Sequence, residues 1–314
     1  MGASVRAMPA LGMLLSMLMA TTALARPEHV QYETEDGVVV HATYYPAEGE
    51  SSGAAVYMHQ PGRNRGDWDY IATKLANKGV AGLAPDLRGH GDSVLTVGGA
   101  DVDRELFVEA DYLKMVHDVA AAVTYLRDER SAGGGTAIQL VGADVGGSAA
   151  LLYAVEDPTV STLVLLSPGL MYDGVDTVGQ VEAYGQRPLL LVVSVEDSYS
   201  ARSTEVLANE ALGVSHLQIY YGVGHGTKML NREPDLEQLL AAWLIGTFRT
   251  EGGATLAETQ LKLGAQDKSQ GLGGGVDEEQ RRRAEEDLAA QEAAPSNSDA
   301  EVEGSEESGD GRWD

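Results

Sequence analysis

At 314 residues and 43% hydrophobic content, the chain can hold one large domain or two small ones and is apolar enough for a sizeable core. A formal net charge of -26 argues against nucleic acid and against anionic membrane surfaces as partners. The chain has no cysteine, which excludes disulfides, thiolate metal sites, thiol redox chemistry and the lipid attachment of a bacterial lipoprotein.

The first segment, residues 1–25, reads as a secretory signal peptide. Arg6 is its only charge, an apolar run follows from Met8, and Ala23-Leu24-Ala25 supplies a small-x-small cleavage pattern. The run is short for a membrane span and Arg26-Pro27 follows it, which suits cleavage better than anchoring. The expectation is export to the periplasm or the outside, with membrane attachment only if this segment stays uncleaved.

From about residue 30 to 249 the pattern alternates strand and helix, as in a mostly parallel sheet with helices on both faces. Gln31 to Pro46 predicts a hairpin turning at Glu35-Asp36-Gly37, and Ala54 to His59 the first parallel strand. Trp68, Ile71 and Leu75 have helical spacing and stop at Gly79; Val80 to Ala84 is the next strand. A helix is expected from about Ala110 to Arg127, burying Leu113, Val116, Ala120, Val123 and Leu126 along one face.

Ala137 to Ala143 reads as a buried strand that runs through a sharp turn at Asp144 into a helix. Gly142 and Gly146 flank the turn, where a side chain would collide with the neighbouring strand or helix. Thr162–Leu166, Leu189–Val193 and Leu217–Tyr221 follow as short apolar runs, expected to be strands covered on both faces, and Leu236 to Phe248 as a closing helix.

After residue 250 Gly, Ala, Ser, Glu and Asp dominate, so residues 250–314 are expected to be an acidic, disordered tail. Arg281-Arg282-Arg283 lies in a polar stretch read as solvated rather than as a helix. The domain plan is thus a signal peptide (1–25), one α/β domain (26–249) and the tail. No internal repeat, H-E-x-x-H spacing, phosphate loop or dinucleotide fingerprint is present, so neither metal nor cofactor is expected. Oligomeric state is not legible.

The order of parts resembles the α/β-hydrolase fold, and four segments carry the likeness. Gly142-Ala143-Asp144-Val145-Gly146-Gly147 is similar to the nucleophile elbow G-x-S-x-G, with aspartate in place of serine. The resemblance implies Asp144 as nucleophile and Val145 N–H as half of the oxyanion hole. The G-x-D-x-G-G form looks most like epoxide hydrolases and dehalogenases, where the carboxylate displaces a leaving group and water cleaves the resulting ester. Asp197, ending the strand before Ser198, falls at the family's place for the orienting acid, with Glu196 as the fallback. Gly222-Val223-Gly224-His225 matches the histidine loop, where His225 would activate water. Asp86-Leu87-Arg88-Gly89-His90-Gly91-Asp92-Ser93 resembles a largely structural segment, so His90 is not taken as catalytic.

Several residues depart from the pattern. His59-Gln60-Pro61-Gly62 stands in place of the H-G-x-G loop, and Pro61 has no N–H where the second oxyanion donor belongs, leaving Gln60 to donate through its backbone or side-chain amide. Losing one such donor costs about 2.7–4 kcal/mol of transition-state stabilisation. Ser167 to Pro188 is too short for the helical cap of aspartate-nucleophile relatives, although Tyr172 and Tyr184 in it could face the pocket. The body otherwise looks more like cap-less esterases and dienelactone-hydrolase-like proteins. The implied function is an exported hydrolase of a small uncharged ester, lactone, epoxide or halide. The alternatives are a disabled hydrolase fold that binds rather than cleaves, and an interaction protein that works through its acidic tail.

Overall fold

The computed structural model describes residues 26–49, 53–130 and 137–249. The expected signal segment and tail, Arg281-Arg282-Arg283 included, lie outside the described residues.

In chain order the elements are β1 (Glu28–Glu33), β2 (Val38–Tyr45), β3 (Gly53–Met58), α1 (Asp69–Ala76), β4 (Val80–Pro85), β5 (Leu95–Thr96), α2 (Glu109–Leu113) and α3 (Met115–Asp128). Then come β6 (Ile138–Ala143), α4 (Val145–Glu156), β7 (Val160–Leu166), β8 (Met171–Tyr172), β9 (Val175–Asp176), α5 (Gln180–Tyr184), β10 (Leu189–Ser194), α6 (Ser198–Glu210), β11 (Ser215–Tyr220) and α7 (Pro234–Leu244). The main sheet runs β1-β2-β4-β3-β6-β7-β10-β11, with β5 beside β2. All neighbours from β4 to β11 are parallel, and β2 is antiparallel to both β1 and β4.

Side chains alternate between two cores, one on each face of the sheet, as the two-residue period of a strand requires. Along β3, Ala54, Val56 and Met58 join Leu140, Leu163 and the inner faces of α3 and α4. Ala55 and Tyr57 join Val141, Leu190, Trp68, Leu75 and Trp243, beneath α1 and α7. Strands β3, β4, β6 and β10 are buried at every position, hence their unbroken apolar runs. The last strand differs: β11 is only partly buried, and Ile219 is 40% exposed. Its apolar run covers an edge rather than a centre, because among the described residues one of its sides has no neighbouring strand.

The expected helix from Ala110 to Arg127 is two helices, with a break at Lys114. Leu113 is exposed, and the buried face is Met115, Asp118, Val119, Ala122, Val123 and Leu126. An ionic contact sets this phase. Asp118, fully buried, accepts from Arg88 N–H at 2.8 Å, Nε at 2.9 Å and Nη2 at 2.8 Å, while Arg88 also holds Asp36 at 2.6 and 2.9 Å. Periodicity of apolar residues cannot find a face whose centre is a carboxylate. The same network gives the Asp86–Ser93 segment its structural role: His90 donates from Nδ1 to the Arg88 carbonyl at 2.9 Å.

Parallel strands bring their carboxyl ends to one edge of the sheet, so the segments after β3, β4, β6, β7, β10 and β11 converge there. That edge is where open α/β sheets place their ligands.

Asp118→Ala leaves the Arg88 guanidinium buried with half of its partners, and breaking a buried pair on one side costs about 3–5 kcal/mol. Urea unfolding should show a loss of that size; a loss under about 1 kcal/mol would contradict the role given to the pair.

Candidate active site

Asp144 occupies the turn between β6 and α4 with φ 54° and ψ -129°, a region that non-glycine residues enter only under strain. Its neighbours make the turn possible. A Cβ on Gly142 would lie 2.5 Å from the Cα of Gly147, and one on Gly146 would lie 2.4 Å from the His59 carbonyl oxygen. The strand and helix therefore touch through backbone, as the glycine spacing predicted. Asp144 N–H donates to the Leu166 carbonyl at 3.0 Å, and its own carbonyl starts the helix by accepting from Gly147 at 2.8 Å.

This conformation presents the carboxylate at the sheet edge, with each oxygen engaged. Oδ1 accepts from the Val145 N–H, and Oδ2 lies 2.8 Å from His225 Nε2. On the other side of the ring, His225 Nδ1 is 2.6 Å from Asp197 Oδ2. The sequence-predicted Asp144, Asp197 and His225 are thus one hydrogen-bonded row, assembled from three loops. Asp197 also caps α6, accepting from Ser200 N–H at 3.4 Å. Glu196, the fallback acid, instead accepts from Ser194 Oγ at 2.6 Å and takes no part in the row.

A family model described as "Alpha/beta hydrolase family" matches residues 38–295. The chain belongs to that family. Solved structures that superpose on it include a dienelactone hydrolase from Anabaena variabilis (TM-score 0.57, 21% identity, covering 72% of this chain and 100% of that one). Another is a thermostable carboxyl esterase from Bacillus coagulans in complex with glycerol (TM-score 0.57, 12% identity, 70% and 96%). A third is an esterase from Pyrococcus furiosus (TM-score 0.55, 16% identity, 70% and 89%). At these identities the structures speak for the fold. A comparison with curated proteins finds no match.

Electrostatically, the hydrolase row is centred on a cation. Burial works to discharge His225, but its hydrogen bonds and charge attraction to Asp144 and Asp197 outweigh burial and hold its pKa at about 9. Burial likewise works to raise the Asp197 carboxyl, yet its bonds to His225, Ser200 and Ser167 leave it below the ordinary carboxylate value. At neutral pH the ring is an imidazolium between two carboxylates.

Some site residues do not serve as the sequence suggested. The Gln60 side chain is not aimed at an oxyanion position: Oε1 accepts from Thr227 N–H at 2.7 Å and Thr227 Oγ1 at 2.9 Å, and Nε2 donates to the His225 carbonyl at 3.4 Å. Tyr184 faces the core, 2% exposed, with its hydroxyl on the Pro188 carbonyl at 3.0 Å, because α5 packs its apolar face onto α4. Tyr172 does stand at the site. Its ring meets the His225 ring edge-on at 6.3 Å, but its hydroxyl is bound to Ser200 Oγ at 2.6 Å and to the Ser167 carbonyl at 3.3 Å, so it forms a wall.

Sequence reasoning missed Ser167. It follows β7 with φ 50°, accepts from Gly226 N–H at 2.9 Å and bonds the Asp197 carboxylate, joining the acid to the histidine loop. The available signal was its place, a small polar residue ending the strand between those of Asp144 and Asp197. Among the described residues no group of three or more His, Asp and Glu is arranged to hold a metal ion, and no helix is long and apolar enough to cross a membrane.

Asp144→Asn removes one of the two charges that hold His225 protonated, so an NMR titration of its ring should move down from about 9. Because the folded value lies above the ordinary one near 6.5, the row stabilises the fold fully below about pH 6.5 and loses that contribution as pH rises through about 9. A ring that titrates unchanged in the asparagine variant would contradict the contact.

Proposed function

We propose that the protein is an exported hydrolase that uses Asp144 as nucleophile, Asp197 as orienting acid and His225 as base. The observation that supports this reading most is the division of labour on the Asp144 carboxylate. Oδ1 rests on the Val145 N–H, while Oδ2 faces the histidine that must later activate water. Attack by Oδ2 on an electrophilic carbon forms a C–O bond, breaks the bond to the leaving group, and sends its electron pair out with that group.

The product at sp³ carbon is an ester of Asp144; at an acyl carbon it is an anhydride. Neutral His225 then takes a proton from water through Nε2, and the hydroxide adds to Cγ of Asp144. Negative charge develops on Oδ1, where the Val145 N–H already donates. Collapse expels the alcohol, which recovers the proton from the imidazolium. With Pro61 unable to donate, the Gln60 backbone N–H is the remaining candidate for a second donor. The substrate class is a small uncharged ester, lactone, epoxide or alkyl halide, since the nucleophile is itself an anion and an anionic substrate would be repelled.

A second reading, a hydrolase fold that binds without cleaving, is favoured by the same two bonds. Both Asp144 oxygens are satisfied internally, and the Nε2 contact must open before water can enter. A hydrolysis panel of activated esters, lactones, epoxides and haloalkanes separates the two. Wild-type turnover, lost by at least about 10³-fold in Asp144→Ala, supports the nucleophile; an inert wild type with esterase activity appearing in Asp144→Ser supports the binding protein. Esterification removes the Asp144 charge that helps hold His225 at about 9, so where the second step limits, kcat should rise with pH to a midpoint below that value as the free base forms. A kcat that shows no rise anywhere from acid to alkaline pH would count against His225 as base.

A further inference from the structure

Gln60 stands where the family loop carries glycine, and its side chain spans from the loop after β3 to the loop after β11. Between these strands in the sheet lie β6, β7 and β10. The bridge is built at both ends. The Gln60 main chain is fixed because its carbonyl accepts from His59 Nδ1 at 2.8 Å and Arg63 N–H at 3.2 Å, and His59 Nε2 accepts from Leu87 N–H at 3.0 Å. The Gln60 side-chain amide then holds Thr227 twice through Oε1 and the His225 carbonyl through Nε2.

The single proton of the Thr227 hydroxyl is shared between Gln60 Oε1 and Asp67, which Arg63 grips through Nε at 2.7 Å and Nη2 at 2.5 Å. Gln60 and Thr227 are 5% and 1% exposed, so water competes little for these bonds. Gly226 makes room for them: a Cβ there would sit 2.2 Å from Gln60 Oε1, and its φ of 57° already favours glycine.

We propose that Gln60 is a positioning residue, its buried amide fixing the His225 loop so that Nδ1 and Nε2 meet Asp197 and Asp144 at once. The loop after β3 thereby takes part in placing the base through the Gln60 side chain, which leaves the Gln60 backbone N–H as a candidate donor. This rests on the reading of Asp144, His225 and Asp197 as the catalytic row. A ring bonded at both nitrogens tolerates little displacement, and misplacement of a reacting group by about 1 Å costs on the order of 10²-fold in rate.

The test uses the full chain with Gln60→Leu and with Thr227→Val, which keeps the shape of the threonine but removes the hydroxyl that reaches Gln60 and Asp67. The His225 ring is titrated by NMR in each, a readout that needs no turnover. Both variants should shift the His225 pKa down from about 9, Gln60→Leu further than Thr227→Val. On the best panel substrate, kcat should fall about 10–100-fold with KM little changed. A folded Gln60→Leu whose ring still titrates at the wild-type value overturns the proposal, whatever happens to its melting temperature. If Gln60→Leu does not fold, an unshifted titration in Thr227→Val overturns it equally. A shifted titration in a protein that turns over nothing supports the positioning role while removing the hydrolase reading beneath it.

Discussion

An imidazolium held between two carboxylates, with Asp144 at 2.8 Å and Asp197 at 2.6 Å, is the contact around which the sheet edge is organised. Each partner is fixed by something behind it. Strained backbone at Asp144 points its carboxylate outward, the start of α6 seats Asp197, and the loop after β11 is tied down by Ser167 and Gln60. An aspartate in place of a neutral serine changes the charge of the row, and with it the resting state of the base. His225 begins protonated, and in the proposed mechanism only the second step, in which it would take a proton from water, needs the neutral ring.

This arrangement also accounts for the departures around it. In a serine hydrolase the oxyanion forms on the substrate and both backbone donors serve it. With a carboxylate nucleophile, the charge of the second step develops on Asp144 Oδ1, already beside the Val145 N–H. A second donor from the loop after β3 matters less there, and proline at position 61 with a committed Gln60 side chain is compatible with that chemistry. The family match, residues 38–295, establishes a hydrolase-family chain; the role of Asp144 within it is our proposal.

Much of the fold was legible because buried parallel strands write themselves as apolar runs, as β3, β6 and β10 do, and because the glycines around Asp144 have a steric reason that leaves a sequence trace. The hydrogen-bonded row of Asp144, His225 and Asp197 was legible for a related reason: a strained turn, a strand-ending acid and a glycine-rich histidine loop each have a local signature. What failed depended on distant partners. The phase of α3 is set by Asp118 meeting Arg88, thirty positions away in sequence, and the exposure of β11 by its place at the edge. Gln60 could be seen as unusual, but its partner, Thr227, is supplied only by folding. Tyr184 was one of two tyrosines in a short connection, and nothing local told the core-facing ring from the site-facing Tyr172.

The most direct test of Asp144 as nucleophile is a single turnover of an alkyl electrophile, an epoxide or haloalkane, in water enriched with heavy oxygen, followed by mass analysis of the peptide that carries Asp144. Hydrolysis at Cγ places one heavy oxygen in the Asp144 carboxylate, and the account predicts that label. Product formed at full yield with the Asp144 peptide unlabelled would contradict it, because water would then have attacked the substrate directly.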